Sequence, residues 1–399
     1  MSRLIRAAAM LASVMVLAAC GTLTEMELDT SATELTRYAH NGNLQAEVDS
    51  LAAPLIEHGE TPGIVVGVLL PEGGTQFFGY GTVRQGQDAK PDGDTIFPIG
   101  SLSKGFLGAI TAVLVQEGVL SWNDTLGELL PADTRLSPDA KKITLLQLAT
   151  HTSGLPRQPF TFQTFRYFVQ FLFTGENFYR HFDNDFVFDY LSDYTAQKQT
   201  EPQYSNLGYG LLGHVIELRT GLSLDALLDQ KLLRPLGLKN TSYVPTDLSG
   251  YATRALGYAG DQPKFIARGE PVPDWKFTEL MKGSAGIYSS ARDLLTFAAA
   301  HLDDIKSGKT ALNAALTDTL QVRFPRLHDA PAVAWVVDDV NGQHIIYQVG
   351  LVAGYTSYIG LDVQRHSAVV VLQNSFNWKG KVGHKLLARM ARAQSPRKQ

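Results

Sequence analysis

Ser101-Leu102-Ser103-Lys104 puts a hydroxyl and an amine three residues apart where an apolar helix begins. Ile99-Gly100 precede it, and Phe106, Leu107, Ile110, Val113 and Leu114 follow at helical spacing. A serine in a first helical turn sits beside unpaired backbone N–H groups and the positive end of the helix dipole. A lysine three residues on lies on the same face, one turn along. When buried, such a lysine gives up its proton and helps activate the hydroxyl as a nucleophile. The four-residue pattern is weak alone: Ser395-Pro396-Arg397-Lys398 satisfies it too, in a basic tail with no apolar helix behind it.

A serine nucleophile must lose a proton as it attacks, and its tetrahedral intermediate needs hydrogen-bond donors. Tyr204-Ser205-Asn206, the only Tyr-x-Asn in the chain, offers a second proton carrier. It falls between Glu201-Pro202 and an apolar helix starting at Leu207, hence on a loop or helix start. An isolated tyrosine titrates near ~10. A lysine ammonium beside it brings that value toward proton exchange with Ser101. Asn206 can hold Lys104 with one end of its amide and a substrate amide with the other. Taken alone, Tyr-x-Asn fits equally a buried tyrosine whose neighbour caps a helix.

The frame that must position these groups is legible as strands at both ends of the chain. A helix over about 43 to 58 leads to a buried strand from Gly63 to Leu70, and Glu72-Gly73-Gly74 turns it into a second strand, Gln76 to Val83. From about 131 to 284 the pattern is mainly helical, with helices expected at Leu145 to Thr150, Leu207 to Arg219 and Leu224 to Leu233. Strands return at Ala332 to Val337 and His344 to Val349, joined at Asn341-Gly342, then at Tyr355 to Leu361 and Ala368 to Leu372. Lys379 to Ala393 reads as a closing helix. The expectation is an α/β (α+β) fold: an antiparallel sheet flanked by helices, with an inserted mainly helical lobe. The α/β half takes residues 43–130 and 285–395, and the lobe takes 131–284. Phe160 to Tyr194 is rich in Phe and Tyr, which fits core packing, an aromatic wall or lid over a cleft, or a lipid-facing surface.

Composition narrows the class. The 399 residues are 44% hydrophobic and 19% charged with a formal net charge of −4, as for a soluble globular enzyme, and no dense Lys/Arg run argues for nucleic acid. Arg3 and Arg6 precede an apolar run, Ala7 to Ala19, that is too short to span a bilayer. That run ends in Leu17-Ala18-Ala19-Cys20-Gly21, which resembles a bacterial lipobox, and Cys20 is the sole cysteine. Residues 1–20 are therefore expected to be a lipoprotein signal peptide with Cys20 as lipidation site, and 21–42 a tether. Gly21 after the cysteine points to the outer membrane, with the body in the periplasm and membrane contact only through the anchor.

Beyond these sites, the chain resembles the serine β-lactamase and penicillin-binding protein superfamily, in its class C β-lactamase, DD-peptidase and esterase branch. The resemblance is carried by Phe97-Pro98-Ile99-Gly100-Ser101-Leu102-Ser103-Lys104-Gly105-Phe106, by Leu145 through Pro156, by Tyr204 through Gly213, by Arg234 through Thr241 and by Gly283 through Leu294, in family order. It implies a β-lactamase/transpeptidase-like fold over residues 43–395. It also implies Ser101 as nucleophile, Lys104 as its proton partner, Tyr204 as general base and Asn206 in support. A third motif, Lys-Thr-Gly or His-x-Gly, belongs beside the serine. Lys306-Ser307-Gly308 is a literal match but lies between helical stretches. The positional match is Gln348-Val349-Gly350-Leu351, where Gln348 replaces a cation that would bind a substrate carboxylate. Gly350 keeps the close backbone approach, and the Leu351 N–H joins that of Ser101 as an oxyanion hole. Asn374 resembles a position near that carboxylate.

Other chemistries find little support: there is no Gly-x-Ser-x-Gly elbow or His-Glu-x-x-His helix, and Asp183-Asn184-Asp185 lacks the glycine and distal glutamate of a calcium loop. The expectation is a cofactor-free serine hydrolase acting through an acyl-enzyme on a peptidoglycan fragment, a β-lactam or an ester. The alternatives are a catalytically weak muropeptide-binding lipoprotein that keeps the fold, and an acyl transferase.

Overall fold

A computed structural model describes residues 43–196, 201–303, 310–326, 328–340, 342–377 and 381–393. The lipobox, the tether and Lys306-Ser307-Gly308 lie outside them, as do Asn341 and Lys379. Helix α1 (Leu44–Glu57) precedes the hairpin β1 (Gly63–Leu69) and β2 (Thr75–Gly81). A short strand β3 (Phe97–Pro98) and a 3-10 turn, Gly100–Leu102, lead into α2 (Ser103–Gln116). Next come α3 (Leu145–Ala149), α4 (Phe162–Thr174) and α5 (Asn206–Thr220). Strand β4 (Tyr288–Ser289) pairs with β3 and runs into α6 (Ala291–Leu302). Strands β5 (Ala330–Pro331), β6 (Val336–Val340), β7 (Gln343–Val352), β8 (Tyr355–Asp362) and β9 (Ser367–Gln373) follow, and α7 (Val382–Ala393) closes the chain.

The main sheet has the order β2-β1-β9-β8-β7-β6-β5, antiparallel at every pairing. It is assembled from both ends of the chain, as its sequence pattern implies, because β9 pairs with β1. Strand β1 is buried along its whole length because it is covered on both faces. Ile64, Val66 and Val68 pack with Val48 of α1 and Leu386 of α7, while Val65 and Leu69 join the larger core with Phe106 and Phe297. Each such side chain taken from water contributes about 1.5–3 kcal/mol. A buried ion pair, Arg389 with Glu47 at 3.1 Å, ties α7 to α1.

One strand differs from its sequence reading. Ala332–Trp335 is a buried turn: the Ala332 N–H bonds the Trp335 carbonyl at 2.8 Å, and Ala334 takes a positive φ of 67°. Trp335 enters the core from that turn and pairing resumes at Val336. A continuous apolar run reports burial, and burial alone does not separate a strand from a turn.

Candidate active site

The backbone around Ser101 is held by close approaches. Gly100 has a φ of 53° and faces the backbone of Leu351 on β7. A side chain at Gly350 would collide with the Ile99 carbonyl, which instead accepts a 2.7 Å hydrogen bond from Ser357 Oγ. These contacts set the 3-10 turn carrying Ser101 against β7 and β8, so Gly350 and Leu351 lie beside the serine. From the other side, the Ile287 N–H donates to Ser103 Oγ at 3.0 Å and the Ile99 N–H to the Ile287 carbonyl at 3.0 Å.

Lys104 is 2% exposed on the first turn of α2. Its Nζ lies 3.1 Å from Ser101 Oγ, 2.8 Å from Asn206 Oδ1 and 2.6 Å from the Ser284 carbonyl. Burial, with the positive charge of Arg157 adding to it, holds the Lys104 pKa well below the ordinary lysine value. Tyr204 OH donates to Ser101 Oγ at 2.6 Å. Two basic side chains face the tyrosine ring: Lys104 Nζ is 4.9 Å and Arg157 Cζ 4.7 Å from its centroid.

Tyr204 is placed by its neighbours. Ser205 caps α5, its Oγ accepting from the Gly208 N–H at 2.8 Å, so Asn206 becomes the first helical residue. The Ser205 N–H donates to His151 Nδ1 at 3.1 Å, and the His151 ring packs 4.5 Å from that of Tyr204. Burial and the charges of Lys104 and Arg157 drive the His151 pKa well down, which leaves Nδ1 an acceptor. Asn206 does hold Lys104, but its Nδ2 donates to Tyr179 OH at 2.6 Å rather than turning toward a substrate amide. Tyr179 in turn donates to Gln158 Oε1 at 3.3 Å.

Ser101 opens onto a cavity of about 240 Å³ whose apolar wall is Phe168, Phe171, Phe178, Tyr179, Trp275 and Phe376. Arg157, Gln158 and Gln262 supply its polar groups, and Val349 and Leu351 close it on the β7 side. The aromatic stretch is thus wall and core together. A smaller recess of about 20 Å³ reaches Ser101, Lys104, Tyr204 and Gln348. Gln348 is buried with its Nε2 unpartnered and rests against α2, where a side chain at Gly105 would collide with its amide.

Asn374 does not join this group. Its Nδ2 donates to the carbonyls of Thr82 and Val83 at 3.1 and 3.2 Å, so its amide fastens the end of β9 to the chain leaving β2. Phe376, two residues on, reaches the cavity instead. Asp183 caps the helix Asn184–Ser192 by accepting from the Phe186 N–H at 3.0 Å. A groove of about 940 Å³ bordered by Asp183, Asp185 and Asp189 contains none of the residues around Ser101. Among the described residues no group of His, Cys, Asp and Glu is arranged to hold a metal ion. Arg157 and Tyr179 join the site without a sequence pattern of their own, and Ser284 acts through its backbone oxygen, whereas His151 lies in the Leu145–Pro156 stretch, whose resemblance implies a structural part rather than a catalytic base.

Comparisons with known proteins identify the family. A family profile described as Beta-lactamase matches residues 48–393. A β-lactamase of Lysobacter lactamgenus is 29% identical over 266 residues, 65% of this chain and 61% of that protein, so the chain spans about three-fifths of that relative. The D-alanyl-D-alanine-carboxypeptidase/endopeptidase AmpH of Escherichia coli is 27% identical over 319 residues, 75% of this chain and 76% of that protein. A crystal structure of a class C β-lactamase from Rhodobacter sphaeroides superposes with a TM-score of 0.71 at 26% identity, covering 86% of this chain and 99% of that one. With its antiparallel sheet, the serine–lysine pair at the start of α2 and a family match over most of its length, the chain belongs to the Beta-lactamase family, within the serine β-lactamase and penicillin-binding protein superfamily of serine hydrolases.

Proposed function

We propose that the protein is a serine hydrolase acting through an acyl-enzyme on esters or amides with an apolar acyl group. The observation that carries this reading is the convergence of Lys104 Nζ (3.1 Å) and Tyr204 OH (2.6 Å) on Ser101 Oγ at an aromatic cavity. A neutral amine has two hydrogens and one lone pair, and Lys104 has a partner for each. Its hydrogens go to Asn206 Oδ1 and the Ser284 carbonyl, and its lone pair takes the Ser101 proton. Ser101 Oγ attacks the carbonyl carbon as that proton passes to Lys104. The Ser101 and Leu351 N–H groups receive the oxyanion. Tyr204 OH protonates the leaving group, and Lys104 and Arg157 stabilise the phenolate left behind. Water then attacks the acyl-enzyme, gives one proton to Tyr204 and releases the acid, while Lys104 returns its proton to Ser101.

The neutral Gln348 beside the serine favours substrates without a carboxylate at that point. The names of the relatives keep β-lactams and D-alanyl peptides as further substrates to test. The unpartnered amide of Gln348 favours a second reading, a binding protein that keeps the fold without turnover. We also place the protein at the bacterial outer membrane, facing the periplasm and lipid-anchored through Cys20, on the strength of Leu17-Ala18-Ala19-Cys20-Gly21. Intact-mass analysis after exposure to a fluorophosphonate, a nitrophenyl ester, a penicillin and a D-Ala-D-Ala peptide tests the chemistry. The expected result is an adduct that Ser101→Ala abolishes. Labelling that persists in Ser101→Ala refutes the assignment, and affinity for muropeptides without any adduct establishes the binding reading instead.

A further inference from the structure

Helix α4 is apolar on two faces. The inner one, with Phe168 and Phe171, walls the cavity at Ser101. On the outer one Phe162, Phe165, Val169 and Phe173 recur at helical spacing and stand in solvent, Phe162 at 83% exposure and Phe173 at 60%. Phe265, from a separate loop, stacks on Phe173 with ring centroids 4.5 Å apart and is itself 60% exposed. A contiguous exposed row of this kind marks a surface that is covered in use.

Two observations indicate what covers it. The first is charge. Residues 161–175 and 262–268 contain no carboxylate, the flanking Glu176 and Asp261 are paired with Arg180 and Arg268, and Arg166 and Lys264 stand exposed beside the phenylalanines. Apolar side chains rimmed by cations suit an anionic lipid surface. The second is the chain leading to the domain. Twenty-two residues separate Cys20 from Asn43, a span of at most ~83 Å when fully extended, so an anchored Cys20 keeps the domain within that reach of the bilayer. Arg268 binds the Glu60 carboxylate at 3.0 Å and its carbonyl at 3.2 Å, which sets the Phe265 loop against the segment following α1.

We propose that the outer face of α4, together with Phe265, docks on an anionic bilayer, so that one helix separates the lipid from the cavity and the hydrolase draws long-chain esters from the membrane. The substrate class rests on the acyl-enzyme reading above, whereas the docking does not.

The test uses the full chain with vesicles of phosphatidylethanolamine and phosphatidylglycerol carrying a doxyl-labelled lipid. Because Cys20 is the sole cysteine, and acylation blocks it, Phe162→Cys or Phe173→Cys provides a single site for an environment-sensitive fluorophore. Val322→Cys serves as the control: it is exposed and adjoins β5, whose Pro331 carbonyl accepts from the Arg323 N–H, at the opposite sheet edge from β2. Docking predicts several-fold stronger lipid quenching at 162 and 173 than at 322. Equal quenching overturns it, as does a fluorophore shift with doubled mass and no lipid quenching, which makes the occupant a second copy. Fluorophore incorporation into the unsubstituted chain overturns the anchoring at Cys20 and leaves the quenching comparison to decide the docking. A Phe162→Ser/Phe165→Ser/Phe173→Ser/Phe265→Ser variant should lose most hydrolysis of a long-chain ester presented in vesicles and keep that of a short soluble ester. Parallel loss on both overturns the lipid substrate, and absence of either activity in the unsubstituted chain is a failure of the hydrolase reading.

Discussion

Replacing Arg157 by glutamine should move the acidic limb of the pH–rate profile upward. The proposed mechanism needs Lys104 neutral, so turnover rises as pH climbs through the Lys104 pKa. That pKa is held down first by burial and then by the charge of Arg157. Both cations face the Tyr204 ring, so Lys104 Nζ and Arg157 Cζ are no more than ~10 Å apart. At an effective dielectric constant of about 20, two like charges at that separation repel by roughly 1.7 kcal/mol. Since one pKa unit corresponds to about 1.4 kcal/mol, Arg157→Gln should raise the limb by about one unit. Below the limb the variant turns over about tenfold more slowly, and above it the two enzymes converge. Because Arg157 lines the cavity, KM is free to change as well, and the measurement is therefore the pH midpoint of kcat rather than its height. Arg157→Lys keeps the charge and should keep the limb close to its original place. If Arg157→Gln and Arg157→Lys share one midpoint, or if the glutamine variant moves downward, charge at residue 157 does not tune the proton acceptor and the reasoning fails.

Asn374→Ala should cost about 1–3 kcal/mol of stability in urea unfolding, because two carbonyls lose their shared donor. It should leave the ratio of kcat/KM for a carboxylate-bearing ester to its neutral analogue unchanged. A large change in that ratio would restore Asn374 to substrate recognition. Acid should destabilise the fold below the ordinary histidine range. Burial lowers the folded-state pKa of His301 to about 4 and of His384 to about 3, and holds His151 well down. The unfolded chain therefore takes up protons first as pH falls below about 6.5, at about 1.4 kcal/mol per pH unit for each histidine. Asp293, Asp338 and Glu217, whose carboxyl pKa values burial raises, offset part of the loss. The urea midpoint should fall clearly between pH 7 and 5.5, and a flat midpoint refutes the account.

The sheet was legible because its strands leave apolar runs of strand length, and glycines mark the turns β1–β2 and β7–β8, although Val363 to His366 joins β8 to β9 without one. Ala332–Trp335 had only the apolar run, and it proved to be a turn. Ser101, Lys104, Tyr204 and Asn206 were legible because each belongs to a short motif fixed by helix geometry: three residues apart across the 3-10 turn and the first turn of α2, or at the capped start of α5. Arg157 and Tyr179 were not. Arg157 lies 47 residues before Tyr204 and Tyr179 lies 27 before Asn206, and each reaches the site along a path of chain that no local pattern encodes. Asn374 misled for the opposite reason: a polar residue just past a buried strand has backbone carbonyls to satisfy before it has a ligand.

The distribution of charge around Ser101 follows from what Lys104 requires. A cation at position 348 would share the small recess with Lys104 and Ser101, in a wall where Gln348 now lies buried against Gly105. There it would repel a proton on Lys104 and offer a carboxylate anchor through the same charge. Arg157 separates those two effects. It stands across the Tyr204 ring, where its charge still opposes protonation of Lys104, and it lines the larger aromatic cavity rather than the recess. Proton transfer therefore keeps its electrostatic support while the position beside the serine becomes neutral. A chain in which Gln348 alone had replaced a cation would lose both functions together. With Arg157 in place, the proposed mechanism assigns the loss to carboxylate recognition at the β7 side and leaves selection to the aromatic wall.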